Sequence, residues 1–171
     1  MFNHGVISAA LFLLVGVLYD RTHDRAIENY RGLWARMPRF TVFVILAFFA
    51  SLGLPGLNGF VSEMLVFFGS FGSESIGRWI PGLSVLGILL GAVYYLRTFR
   101  RMFFGEFQYV GEGDLASLRD LTGREYLMLL PLAAGMILLG VMPHLVLDLM
   151  DSSLTALTEA MQFGIAILGP G

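Results

Sequence analysis

The chain has 171 residues, a net charge of −2 and no cysteine, and 56% of its residues are apolar while only 14% are charged. Soluble domains are about 45–50% apolar and about 25% charged, so this composition, with a mean hydropathy of +0.73, excludes an ordinary soluble domain. The near-neutral charge excludes a basic nucleic-acid-binding surface. The lack of cysteine excludes disulfides, cysteine-ligated iron–sulfur clusters and thiolate zinc sites, and the three scattered histidines predict no metal site.

Four segments are long and apolar enough to cross a bilayer, because a spanning helix needs about 20 mostly apolar residues. They cover residues 1–19, 40–71, 79–96 and 126–142. After Pro143, leucines alternate with acidic and hydroxyl residues, which predicts an amphipathic helix over residues 144–168 lying at the membrane surface. The sequence therefore predicts an all-α, polytopic membrane protein with a single transmembrane domain over residues 1–171.

The second segment is too long for one straight helix, and its middle carries helix-breaking residues. Proline removes a helix donor and clashes with the preceding turn, and glycine weakens the helix further. We therefore predict a break over residues 53–59, near mid-membrane, formed by Gly53, Pro55, Gly56 and Gly59. Irregular backbone at that depth is tolerated where it is buried in protein or lines a wet cavity, and transporters use such breaks. The alternatives are a simple kink or a short helical hairpin.

The basic residues are all arginines, and their distribution predicts an orientation. Five lie in the loop over residues 20–39, five lie in the loop over residues 97–124, and only Arg78 lies between. The positive-inside rule places both arginine-rich loops in the cytoplasm. Both termini and the amphipathic helix then face the outer side of the membrane.

Glu63 is the one acidic residue predicted inside a span, a few residues after the break. A carboxylate in the hydrocarbon region is costly, so Glu63 should face protein or water, where it can relay protons. The alternative is a structural carboxyl that satisfies backbone groups freed by the break. His4 is the second candidate, because histidine exchanges protons near neutral pH. Its alternative is a surface histidine near the start of the chain.

Several motifs together resemble a known family. They are HGVISAALF at residues 4–12, Gly16, Tyr-Asp-Arg at residues 19–21, ASLGLPG at residues 50–56 and NGFVSE at residues 58–63. This combination resembles the antiporter-like, proton-pumping membrane subunits of respiratory complex I, the NADH-quinone oxidoreductase. It is most similar to the M type, in which a glutamate follows the break where sister subunits carry a lysine.

The resemblance implies a 14-helix subunit, of which this chain matches the last four helices. It implies that Glu63 is the terminal proton carrier, that His4 feeds it, and that the chain is a non-redox part of the enzyme. FMN, the iron–sulfur clusters and quinone would be bound by other subunits. The implied partners are the other complex I membrane subunits, neighbouring antiporter-like subunits among them, and the lipid bilayer, with no nucleic acid. The implied location is the bacterial inner membrane.

The chain also departs from the family pattern, because the first ten helices and their lysines are missing. We therefore expect a fragment, a split-gene product or a truncated reading frame that holds an exit half-channel at most. A separate chain would then supply the first ten helices. Two alternatives stay open: a subunit of a multi-subunit sodium/proton antiporter, and an inert structural remnant.

Overall fold

The computed structural model describes residues 1–73, 75–111 and 118–168, the last five of these by their backbone alone. Most of this part of the chain is α-helical. The helices are α1 Phe2–Thr22, α2 Leu33–Arg36, α3 Pro38–Ser51, α4 Asn58–Gly72, α5 Trp79–Phe103, α6 Gly123–Val141 and α7 His144–Leu168. A 3₁₀ turn at Ile27–Asn29 and two short strands, β1 Tyr30–Arg31 and β2 Gln108–Tyr109, complete the described elements.

Three of the described helices, α1, α5 and α6, are long and apolar enough to cross a membrane. The predicted second span is present as α3 and α4, which have 14 and 15 residues. At 1.5 Å per residue each is about 21–23 Å long, short of the roughly 30 Å hydrocarbon core. The predicted fold class, a mostly helical protein with helices that can cross a membrane, is therefore confirmed. The count of four spans and the surface position of α7 stay predictions.

Helix α5 is longer than the third predicted span, which ended at residue 96. It continues to Phe103, so Arg97, Arg100 and Arg101 lie on its last two turns and not in a loop. Arginine is a good helix former and is favourable at a helix C-terminus, so these residues do not end the helix. The next strong break is Gly105, whose φ is 97°.

Helices α1, α3 and α6 form the centre of the bundle. Their contacting faces are lined by small and aliphatic side chains that are buried: Ile7, Ala10, Leu14, Val44, Ala47, Ala133 and Met136. Small residues let helix backbones approach closely, and in a bilayer this van der Waals packing supplies much of the association energy. In contrast, α7 is exposed over nearly all of its described side chains.

The two arginine-rich segments meet at one end of the bundle. Strands β1 and β2 pair antiparallel, with Tyr30 opposite Tyr109 and Arg31 opposite Gln108. The sequence did not predict this pairing, because two-residue strands leave no periodic pattern. The chain leaves this end with α3 and returns to it with α5, so the segments that follow α1 and α5 lie on the same side.

A remote aspartate caps the start of α3. Asp120 accepts hydrogen bonds from the backbone N–H groups of Arg39 and Phe40, each at 3.0 Å. The first N–H groups of a helix have no partner within the helix, and an acidic oxygen at this end also complements the helix dipole. Met37, the residue before α3, offers no side-chain cap. The cap therefore comes from the segment before α6 and holds the two arginine-rich segments together.

Candidate functional site

The helix break lies between Ser51, where α3 ends, and Asn58, where α4 begins. Gly53 and Gly56 adopt φ angles of 68° and 92°, a region that strongly favours glycine. Gly53, Pro55 and Gly56 thus lie in the break. Gly59, also predicted there, lies in the first turn of α4, where a Cβ would overlap the carbonyl group of Ala50. Glycine at this position lets the start of α4 pack on the end of α3.

The break follows α3, whose 14 residues rise about 21 Å from Pro38. Its position near mid-membrane stays a prediction. The backbone of Gly56 and Leu57 contacts Gly140, close to the C-terminal end of α6. The Leu57 end of the break is therefore packed against α6, whereas Leu54, Pro55 and Gly56 are exposed.

Glu63 lies on the second turn of α4 and is half-buried. Its carboxyl group folds back to Gly53, and a Cβ at Gly53 would overlap it. Within the part of the chain that the structure describes, Glu63 makes no ion pair and no hydrogen bond. The site therefore combines an ionisable carboxyl group, an apolar helix and a non-helical backbone at one point.

His4 does not contact Glu63 through a hydrogen bond. It is exposed on α1, and its ring nitrogens lie 3.4 Å from the hydroxyl of Ser8, one turn along the same helix. Its neighbour Asn3 reaches α4 through hydrogen bonds. The two candidates predicted from the sequence thus lie on helices that meet, but the structure does not join them directly.

A polar cluster that the sequence analysis missed connects α1 to the start of α4. The side-chain amide nitrogen of Asn3 donates to the carbonyl oxygen of Asn58 at 3.0 Å and to Ser62 Oγ at 2.8 Å. In return, Asn58 Nδ2 donates to the carbonyl oxygen of Asn3 at 3.4 Å. Asn58 is 0% exposed. An asparagine within an apolar segment was the available signal, because asparagine is rarely buried without hydrogen-bond partners.

A second polar cluster lies at the arginine-rich end. The guanidinium of Arg21 donates to both carboxyl oxygens of Glu125, at 2.8 and 2.7 Å, and to the carbonyl oxygen of Arg119 at 2.9 Å. Two parallel N–H···O bonds give this pair a defined geometry. Glu125 also closes the capping box that starts α6, accepting from the backbone N–H of Thr122 at 2.8 Å. Arg21, part of the Tyr-Asp-Arg motif, therefore ties α1 to α6.

The described residues offer no cluster of three or more His, Asp or Glu side chains that could hold a metal ion. The ionisable side chain that lies at the break is the carboxyl group of Glu63. A carboxyl group that is half-buried on an apolar helix has two states of very different solvation energy, so its protonation responds to small changes in nearby charge.

Comparisons with known proteins agree with this architecture. Residues 1–93 match the family described as "NADH:quinone oxidoreductase/Mrp antiporter, TM". NADH-quinone oxidoreductase subunit M of Rhodobacter capsulatus is 42% identical over 159 residues, which are 93% of this chain and 30% of that protein. NADH-ubiquinone oxidoreductase chain 4 of Marchantia polymorpha is 37% identical over 163 residues, 95% of this chain and 32% of that protein.

A solved structure of respiratory complex I from Thermus thermophilus with bound NADH contains a similar chain, with a TM-score of 0.71 and 35% identity. The match covers 82% of this chain and 28% of that one. The present chain thus spans about 30% of the length of the curated relatives it matches. The resemblance predicted from the sequence motifs is confirmed: the chain belongs to the NADH:quinone oxidoreductase/Mrp antiporter transmembrane family.

Proposed function

We propose that the chain is part of the proton-translocating membrane arm of an NADH-quinone oxidoreductase, with Glu63 as its proton carrier. One observation carries the proposal: the carboxyl group of Glu63 lies in the helix break, against the left-handed Gly53, with no ion-pair partner among the described residues. A carboxyl group inside the membrane costs free energy because the hydrocarbon region solvates its charge poorly, and such groups usually mark ion pathways. A purely structural carboxyl would be expected to accept hydrogen bonds from the backbone of the break.

The proposed driving force is electrostatic. Two unit charges 10 Å apart interact by about 1.7 kcal/mol at an effective dielectric constant of 20. This exceeds the 1.36 kcal/mol that changes a protonation equilibrium tenfold. A charge that appears or disappears about 10 Å from Glu63 is therefore enough to load or release its proton. Redox chemistry elsewhere in the complex would supply these charge changes, so this chain needs no redox group.

His4 is the proposed proton donor on α1. Its ring contacts Ser8 and not Glu63, so transfer between the two groups requires at least one intervening water or polar side chain. The polar cluster of Asn3, Asn58 and Ser62 lies where α1 meets α4 and provides such groups. The pathway would thus run from α1 through this cluster to the break.

We also propose the membrane orientation and the setting of the chain. With the arginine-rich end in the cytoplasm, α3 and α4 together make one crossing, and α7 lies on the outer surface of a bacterial inner membrane. The large apolar side chains that α5 exposes, such as Leu83, Leu86 and Leu90, fit contact with lipid or with other membrane subunits of the complex. FMN, iron–sulfur clusters and quinone would be bound by those other subunits.

A sodium/proton antiporter subunit is the second candidate, because the matching family description names both groups of proteins. The identity of relatives favours the first candidate. Proteins named as NADH-quinone or NADH-ubiquinone oxidoreductase subunits are 36–42% identical over at least 90% of the chain. An inert structural role is the third alternative, and it predicts that Glu63 is dispensable for transport.

The test is Glu63→Gln in the native complex, in inverted membrane vesicles that oxidise NADH. We expect assembly on native gels to be unchanged and the protons pumped per NADH to fall by more than half. Glu159→Gln on the exposed helix α7 is the matched control, with the same chemical change and no expected effect. Unchanged pumping in Glu63→Gln would refute the proposal. Transport that requires sodium in the medium would favour the antiporter alternative.

A further inference from the structure

An open groove lies between the start of α3 and the start of α6, at the arginine-rich end of the bundle. Its volume is about 540 Å³, within the range of about 300–1,000 Å³ that is typical of small-molecule sites. Because helices that cross a bilayer begin near the lipid headgroups, we expect the groove to lie at headgroup depth. Its lining includes Arg39, Val42 and Phe43 of α3, Tyr126 of α6, and Thr122 and Gly123 where α6 begins.

Two hydrogen-bond donors line this groove, and neither has a partner among the described residues. The guanidinium of Arg39 makes no ion pair and no hydrogen bond there, and the hydroxyl of Tyr126 makes no hydrogen bond. Arg39 is exposed and Tyr126 is 41% exposed, so a molecule in the groove can reach both. A guanidinium donates two parallel N–H bonds to phosphate oxygens, and a phenol hydroxyl adds a third donor.

The nearby carboxylates leave the charge of Arg39 uncompensated. Asp120 accepts hydrogen bonds from three backbone N–H groups, those of Arg39, Phe40 and Leu121. Glu125 is paired with Arg21. No ion pair joins either carboxylate to the guanidinium of Arg39. The groove therefore presents a positive charge and is complementary to an anion.

The side chains beyond the charged end of the groove are apolar. Val42 follows Arg39 by one turn on α3 and is 55% exposed. The rings of Phe43 and Tyr126 pack edge to face, with centroids 5.4 Å apart, so an aromatic wall joins the two helices. Leu130 lies one turn after Tyr126 on the same face of α6 and is 43% exposed. A positive charge at the helix ends with apolar walls beyond it suits an amphipathic anion better than a free phosphate ion.

We infer that this groove binds an anionic phospholipid. The guanidinium of Arg39 and the hydroxyl of Tyr126 donate to its phosphate oxygens, and one acyl chain lies along Val42 and Leu130. Basic pockets between transmembrane helices are known to bind the headgroups of acidic lipids. A zwitterionic lipid carries its own ammonium group beside the phosphate, so it gains less from Arg39. The inference does not depend on the role of Glu63, because it needs only that α3 and α6 begin at the membrane surface.

The test uses the intact complex in phosphatidylcholine vesicles that contain a trace of photoreactive lipid. The photoreactive lipid is either phosphatidylglycerol or phosphatidylcholine, each with a diazirine on the acyl chain, and mass spectrometry identifies the labelled peptides. At the peptides that contain Val42 and Leu130 we expect phosphatidylglycerol to label about fivefold more than phosphatidylcholine, the effect of one arginine near an anionic lipid. Equal labelling by the two lipids would overturn the inference. So would absence of labelling because another subunit covers the groove.

Arg39→Gln tests the charge of the groove. The variant should label equally with the two lipids at these peptides, because the preference comes from the guanidinium. Arg100→Gln is the matched control: it removes the same charge from the exposed last turn of α5, at the same end of the bundle, and should keep the preference. A preference that persists in Arg39→Gln would overturn the inference.

A second pair of variants tests the shape of the groove and does not require Arg39→Gln to assemble. In Val42→Trp the indole occupies the space of the acyl chain, so labelling by phosphatidylglycerol should fall by about half or more. Leu127→Trp adds a side chain of the same size at a position that is 70% exposed and outside the groove, and should leave labelling unchanged. Native labelling in Val42→Trp would contradict the inference. Proton pumping is not a readout here, so failure of the role of Glu63 would change neither result.

Discussion

The carboxyl group of Glu63 fills the space beside the Cα of Gly53 that a side chain at position 53 would occupy. A Cβ built at Gly53 would lie 2.7 Å from Glu63 Cδ and 3.1 Å from Oε1. The φ angle of Gly53 is 68°, which would also strain any residue with a Cβ. Position 53 thus requires glycine for two reasons: the backbone turns with a positive φ angle, and a side chain there would overlap the carboxyl group of Glu63.

Gly53→Ala should therefore lower proton pumping, because the new methyl group displaces the Glu63 carboxyl. Gly56→Ala is the matched control. Its φ angle of 92° imposes backbone strain as well, but a Cβ there meets no atom within 4 Å. Both variants should lose about 1–2 kcal/mol of stability from strain, whereas only Gly53→Ala should reduce the protons pumped per NADH. Equal pumping by the two variants would show that Gly53 matters for the turn alone.

The bond between Arg21 and Glu125 should stabilise the packing of α1 on α6. The Arg21 and Glu125 side chains are 10% and 22% exposed, and their nearest atoms are 2.7 Å apart. Removing one partner leaves the other charge poorly solvated, so we expect Glu125→Gln to cost about 2–3 kcal/mol, somewhat less than for a fully buried pair. Thermal unfolding of the detergent-solubilised protein, followed by helical circular dichroism, measures the loss.

The exposed pair of Arg101 and Glu28 is the control for this measurement. Its nearest atoms are 3.7 Å apart and its side chains are 48% and 74% exposed. Surface pairs contribute about 0–1 kcal/mol because water and salt screen them. Glu28→Gln should therefore change the unfolding temperature little, and a loss as large as that of Glu125→Gln would contradict the assigned role of Arg21.

Tyr30 should make the arginine-rich end sensitive to alkaline pH. Burial raises the pKa of Tyr30 to about 12, since the phenolate would lose its solvation, and the nearby charge of Asp24 adds to the effect. An unfolded tyrosine ionises at about pH 10. Between pH 10 and about 12 the unfolded chain has released this proton while the folded chain retains it, so stability falls as pH rises. Below pH 10 both states keep the proton and this group contributes no pH dependence.

The check is unfolding temperature against pH in the native sequence and in Tyr30→Phe. The variant loses the hydrogen bond from the Tyr30 hydroxyl to the carbonyl oxygen of Asp24, 2.9 Å long, so it should be less stable at neutral pH. Its stability should nevertheless fall less steeply than that of the native sequence between pH 10 and 12. Parallel curves for the two proteins would show that Tyr30 ionises as freely in the folded state as in the unfolded one.

The features predicted well from the sequence are those that depend on neighbouring residues. Low charge and long apolar runs predicted α1, α5 and α6, and Pro55 with its flanking glycines predicted where the second span breaks. These signals act within one helix or one turn, because helix propensity and chain geometry are local. The end of α5 was predicted seven residues early, since arginines were taken as the start of a loop although they also favour a helix.

The contacts that assemble the site could not be predicted in this way. Asn3 and Asn58 are 55 residues apart, and Arg21 and Glu125 are 104 residues apart. No local sequence pattern predicts which polar groups will be in contact when they are this far apart along the chain. The position of His4 could not be predicted either. Its side-chain chemistry suggested a partner of Glu63, but α1 is oriented so that Asn3 faces α4 and His4 is exposed beside Ser8.

The sequence by itself determined that this is a helical membrane protein, that its second span is interrupted, and that this span contains a single carboxyl group, that of Glu63. Composition and short-range geometry are sufficient for these conclusions, because lipid requires each spanning segment to satisfy its own backbone. Only the tertiary structure decided that the carboxyl of Glu63 lies against Gly53, that Asn58 is buried with an Oδ1 to which no described residue donates, and that Asp120 caps α3. Those arrangements depend on how the helices rotate and pack against each other, which many distant residues set together.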